Sequence, residues 1–235
     1  MSNINKIKFE KFEILLILVA YCCLGLNIIF TKDAAISSIS AFCGITYTIL
    51  AGKGLPICYP IGLCGTLIYS YLTYKNSLWG NFLLNLIYYV PIQIIGFFKW
   101  NQNLKIDKYE IIKTKLSRKE RVIMSVLLVI SVIITLIILK HFNDAFPLFD
   151  SITTVFSIFG MYLTVKRALE QWYLWIVVDV FSLIMWLLLA MKDVKAYPIV
   201  FQWLVYLIIA VYYFIKWNKE INSITINQAE SRQPL

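Results

Sequence analysis

Trp172, Trp175, Asp179 and Trp186 lie three, four and seven residues apart, a spacing that puts all four on one helical face. A carboxylate among indoles is a cage for a flat, positively charged ring, because the anion and the π faces both attract the cation. Between Trp172 and Ala190 there is no other charge. A charged carboxylate in the middle of such an apolar segment costs at least about 2.5 kcal/mol in a bilayer. Two readings compete for Asp179: a structural hydrogen bond or ion pair with a neighbouring helix, or a substrate contact. The surrounding tryptophans favour the second. An interfacial aromatic belt accounts for Trp172, near the segment end, and less well for Trp175 and Trp186.

A second polar set precedes it. Asn85, Tyr89 and Gln93 stand at i, i+4 and i+8, with Tyr88 alongside. Pro91 sits in their midst, where it frees a backbone carbonyl and bends the axis. Gln202, Trp203 and Tyr206 offer similar groups near the C-terminus. Amides inside spans often serve only as interhelical hydrogen bonds, worth about 0.6 kcal/mol each. The recurrence of amides and phenols at matching places points instead to a binding site. Arg167, Glu170 and Gln171 read as orientation and capping residues, with gating as the sharper alternative. Asp33 and Asp150 fit helix N-caps or first-turn acids.

These residues need elements to hold them. Of 235 residues, 60% are hydrophobic and 15% charged. That leaves too little polar surface for a soluble domain, and too much apolar surface for a disordered chain. Eight apolar runs follow, at roughly 13–30, 35–51, 57–74, 79–100, 121–140, 151–167, 172–190 and 197–217. Each is long enough for a membrane helix. No small-residue cleavage site follows the first run, so it reads as a retained helix. Five cysteines, all in or beside apolar segments, read as small hydrophobes. His141, the single histidine, has no ligand spacing around it, so neither a metal nor another cofactor is expected. No phosphate-binding G-x-x-x-x-G-K-[ST] loop and no H-E-x-x-H or G-x-S-x-G motif occurs, which argues against an ATP motor and a familiar membrane hydrolase.

With eight spans, seventeen basic residues fall on the side of both termini and five on the other. The positive-inside rule then places both termini in the cytoplasm. Residues 33–101 also align with 150–218 at an offset of 117, with 12 identities in 69 positions. Phe97-Phe98-Lys99-Trp100-Asn101 matches Phe214-Ile215-Lys216-Trp217-Asn218. The predicted organisation is an all-α membrane protein. A cytoplasmic N-terminus (1–12) leads to an extra transmembrane helix (13–30), then a three-helix repeat (33–101). A basic loop with a linker helix (102–149) precedes the second repeat (150–218) and a polar, disordered cytoplasmic tail (219–235). An odd number of helices per repeat with one linker makes the repeats parallel, as in SWEET-type transporters, whose substrate site lies between the repeats.

The stretch from Trp79 to Gly96, with its N-L-x-Y-x-P-x-Q-x-x-G pattern, resembles the PnuC-type nicotinamide riboside transporters. So do Asp150-Ser151-Ile152-Thr153-Thr154 and Glu170-Gln171-Trp172-Tyr173-Leu174-Trp175 followed by Asp179. The resemblance covers about 35–218. It implies two three-helix bundles joined by a linker helix in a bacterial inner membrane. It also implies uptake of a vitamin nucleoside by facilitated diffusion, trapped by a cytosolic riboside kinase and needing no cofactor. By motif, Trp172, Trp175 and Asp179 would hold the ring and ribose, and Asn85, Tyr88, Tyr89 and Gln93 would complete the site. Asp179 stands where the family usually has asparagine, and Gly62-Leu63-Cys64-Gly65 where an asparagine is expected near position 65. A thiamine transporter of the same type is the nearest rival, since both vitamins carry a cationic ring. A membrane enzyme or sensor built on Asp179 is the rival of another class. The resemblance allows a working monomer as well as a homo-oligomer; no nucleic-acid partner is expected.

Overall fold

A computed structural model describes residues 9–30, 35–75, 84–104, 110–141, 146–191 and 197–230. Eight helices and no strands occur among them: α1 (Lys11–Phe30), α2 (Ala35–Gly52), α3 (Cys58–Lys75), α4 (Leu84–Asn101), α5 (Arg118–His141), α6 (Pro147–Val165), α7 (Gln171–Ala190) and α8 (Tyr197–Glu230). Each overlaps one of the eight apolar runs. The first six residues of α4, Leu84–Tyr89, form a π-helix. It ends just before Pro91, which has no N–H for the ladder and whose ring crowds the preceding turn; a wider turn relieves both.

The chain divides into two compact units. One comprises 1–51 and 57–94, the other 52–56 and 95–235. In the first, the Glu13 carboxylate accepts the Glu10 backbone N–H at 3.0 Å, one arm of a capping box that starts α1. Tyr21 and Thr46 share a hydroxyl hydrogen bond between α1 and α2. Ser40 donates to the Gly65 carbonyl at 3.1 Å, tying α2 to α3.

In the second unit, α5 packs on α6, α6 on α7 and α7 on α8. Leu116, Leu128, Val155, Leu163, Ala168 and Leu174 form its apolar core. The most apolar 18 residues of helix α5 have a mean hydropathy of 3.3, yet among the described residues the helix buries only Leu128. Val122, Val126, Val129, Ile133, Ile134 and Ile137 are all more than half exposed. In water that surface would oppose folding; in lipid it is the expected face of a spanning helix.

Two tryptophans close this unit. Trp100, at the end of α4, donates its indole N–H to the Thr164 carbonyl at 2.9 Å. Trp217, in α8, donates to the Gly52 carbonyl at 2.5 Å. Both are fully buried, and both acceptors lie in the last turn of a helix, where carbonyls lack partners within the helix. Gly52 is required by a close approach: a Cβ there would fall 2.1 Å from the Tyr213 ring.

Two regions differ from the sequence expectation. The tail expected to be disordered from 219 is helical to Glu230. No Gly or Pro interrupts 199–230, and Lys113 pairs with Glu220 while Lys115 donates to Asn218 and Asn222 at 3.3 and 2.8 Å. The basic stretch is also no loose loop. The backbone N–H groups of Ile111, Ile112 and Thr114 donate to Gly54, Asn103 and Arg167 carbonyls, and Leu169 N–H returns to Thr114. Asp150 sits in the first turn of α6 as expected; Asp33 lies outside the described residues.

Candidate functional site

Helix α7 presents one buried face, made of Gln171, Trp172, Leu174, Val178, Asp179 and Ser182, with Trp175 half-buried beside it. The spacing of three and four residues is that of an α-helix against a core. Trp172 is 2% exposed. Its ring stacks on Tyr213 at 5.7 Å with 25° between planes, and meets Trp217 edge-on at 5.7 Å. This aromatic cluster fixes the start of α7 against α8. The Trp172 Nε1 atom is buried with no hydrogen-bond partner among the described residues, and the same holds for Gln171 Nε2. A buried donor left without an acceptor costs about 1–3 kcal/mol unless a water or ligand supplies one.

Trp175 is held from α6. Its indole N–H donates to Thr164 Oγ1 at 3.2 Å, and that hydroxyl donates in turn to the Gly160 carbonyl at 2.9 Å. The ring lies over Gly160, where a Cβ would come within 3.2 Å of it. Asp179, one turn further along, is 4% exposed. Among the described residues no cation is paired with its carboxylate. Phe181 on the following turn contacts Phe149 of α6 at 5.7 Å. On α8, Trp203 and Tyr206 are half-buried and meet edge-on at 5.7 Å. The side chains of Trp186 and Gln202 lie outside the described residues.

The first unit holds the other predicted group. Asn85 is buried within the π-helix, and Tyr88 and Tyr89 are half-buried with ring centroids 5.4 Å apart. Gln93 is buried; its Nε2 donates to Thr66 Oγ1 of α3 at 2.7 Å, and its Oε1 has no partner among the described residues. Gln93 is thus half committed to structure and half available. π-helical turns widen a helix locally and recur at functional sites. Here one sets Asn85 and both tyrosines.

The structure brings together Trp172, Trp175 and Asp179 on α7, and Asn85, Tyr88, Tyr89 and Gln93 on α4. Sequence reasoning missed Thr164 and Thr66, the partners that orient Trp175 and Gln93, because a threonine in an apolar helix ordinarily bonds its own preceding turn. Gln171, read from the sequence as an orientation or capping residue with gating as the alternative, has a side chain that is 1% exposed.

Comparison with known proteins adds a second line. Residues 34–219 match the nicotinamide mononucleotide transporter family. The chain is 31% identical over 196 residues to the nicotinamide riboside transporter PnuC of Neisseria mucosa, covering 81% of this chain and 74% of that one. It is 25% identical over 191 residues to the protein of the same name from Haemophilus influenzae, covering 80% and 81%. The crystal structure of the vitamin B3 transporter PnuC superposes with a TM-score of 0.78 at 28% identity, over 92% of this chain and 94% of that one.

Proposed function

The chain belongs to the nicotinamide mononucleotide transporter family, and we propose that it takes up nicotinamide riboside by facilitated diffusion. It is an integral membrane transporter and not an enzyme. The observation that carries the substrate reading is the α7 face: a buried carboxylate, Asp179, one turn from the Trp175 indole, with the Trp172 indole N–H still open. Nicotinamide riboside pairs a planar cationic ring with a hydroxylated sugar. Indole faces and a carboxylate suit the ring; amide and indole donors suit the sugar. Asn85, Tyr88, Tyr89 and Gln93 of α4, and Trp203 and Tyr206 of α8, are further residues proposed to contact the substrate.

Eight spans in two parallel three-helix repeats, joined by α5 and preceded by α1, are the architecture that fits this reading. The matching roles of Trp100 and Trp217, 117 residues apart, support the repeat. The basic residues on the side of both termini support a cytoplasmic placement. A cytosolic riboside kinase would trap the product by adding phosphate, which makes net uptake possible without ion or ATP coupling. Asp179 at the family's usual asparagine position favours a cation, and thiamine is the competing vitamin with that chemistry. Calorimetric titration of the detergent-purified protein with nicotinamide riboside, then thiamine, separates the two. Tight binding of the riboside is expected. Binding of thiamine alone would move the assignment to thiamine.

A further inference from the structure

The basic segment that transport leaves unused borders a half-open pocket. A cavity of about 370 Å³ is lined by Lys99, Lys115, Lys166, Arg167, Thr114 and Glu120, among others. Four cations thus meet one carboxylate. Hydrogen bonds from the Ser117 backbone and hydroxyl hold Glu120 below the usual carboxylate range, so it is ionised and the surplus is positive. The walls are fixed rather than loose. Thr114 N–H donates to the Arg167 carbonyl at 2.9 Å and its hydroxyl to the Lys166 carbonyl at 3.1 Å. Lys115 is steadied by Asn218 and Asn222, and Lys166 lies over the Tyr162 ring and 3.8 Å from Glu120.

Arg167 is the telling residue. Helix α6 ends in a Schellman turn: Ala168 N–H donates to the Leu163 carbonyl at 3.0 Å and Arg167 N–H to Thr164 at 2.9 Å. The residue after the C-cap in such a turn is left-handed, and glycine suits it best. Here it is an arginine at φ 62°. The chain accepts an unfavourable backbone to keep this side chain in place. Among the described residues its guanidinium gives one hydrogen bond, to the Ile112 carbonyl at 3.1 Å, and a guanidinium has five N–H donors in all. Lys166 and Arg167 directly follow the apolar helix α6, so the pocket stands at the depth where phosphate headgroups begin.

We propose that this pocket binds a phosphate group. A planar guanidinium among lysines matches the oxygens of a phosphate by charge and by paired N–H donors. An anionic lipid headgroup and a soluble phosphate compound present the same chemistry, and the test distinguishes them. The full-length protein in non-ionic detergent is unfolded thermally while inorganic phosphate replaces chloride at matched ionic strength. In parallel, dioleoyl-phosphatidylglycerol or dioleoyl-phosphatidylcholine is added. A rise of several degrees with inorganic phosphate supports the pocket with a soluble ligand. A rise with phosphatidylglycerol, absent with phosphatidylcholine, supports it with a lipid ligand. In either case Arg167→Gly, which suits the turn, keeps the ligand-free midpoint and loses most of the rise. Lys115→Ala, away from the turn, weakens the rise in the same direction. No rise with any probe, or an undiminished rise in Arg167→Gly, overturns the proposal.

Discussion

Asp179 and Trp175 reach the same face of α7 by different means. Asp179 is placed by helical periodicity alone, while Trp175 is oriented by Thr164 and Gly160 of the neighbouring helix. Removing either side chain should therefore abolish tight binding of nicotinamide riboside and leave the fold intact. Calorimetry together with thermal unfolding checks this; normal binding by Asp179→Ala or Trp175→Ala would remove that residue from the site. Asp179→Asn keeps the shape and most of the hydrogen-bonding capacity while removing the charge, so its loss should stay within about tenfold, roughly 1.4 kcal/mol. A larger loss would mean that the charge itself selects the ligand. That Trp172, Trp175 and Asp179 share a side of α7 was legible from spacing, because 3.6 residues per turn fixes which side chains lie together. The threonines behind them were not, since they act across helices and leave no period.

At the scale of elements, the two Phe-x-Lys-Trp-Asn ends explain themselves once the acceptors are known. Each indole donates to a carbonyl in the last turn of another helix, Trp100 to Thr164 and Trp217 to Gly52. Trp100→Phe and Trp217→Phe each lose one buried hydrogen bond and some packing, at a cost of about 1–3 kcal/mol. Trp217→Phe should cost more: Thr164 still receives Arg167 N–H, and Trp217 also packs on Trp172 and beneath Lys113. Thermal unfolding in detergent ranks them, and unchanged midpoints would refute the role of these bonds. The extension of α8 past its apolar run rests on such long-range contacts too. Lys113 is nearly buried and Glu220 only partly exposed. Glu220→Gln should fall between the ~1 kcal/mol of an exposed pair and the ~3–5 kcal/mol of a fully buried one. A midpoint unchanged by Glu220→Gln would show the pair to be idle. Sequence alone read 219–235 as a polar tail because its partners, Lys113 and Lys115, lie about a hundred residues away.

For the whole molecule, composition and run length foretold an all-helical chain, and eight helices occur among the described residues. The π-turn before Pro91 and the stitched segment 110–117 were not foreseen, being decided by one missing N–H and by pairing distant in sequence. The proposed function requires that a family member with no ATP loop carry nicotinamide riboside down its own gradient. Vesicles containing only the purified protein, given labelled riboside with no ion gradient and no nucleotide, test it directly. Uptake should stop when inside and outside concentrations are equal, and should vanish with Trp175→Ala. No uptake, or accumulation that needs an imposed ion gradient, would contradict the account.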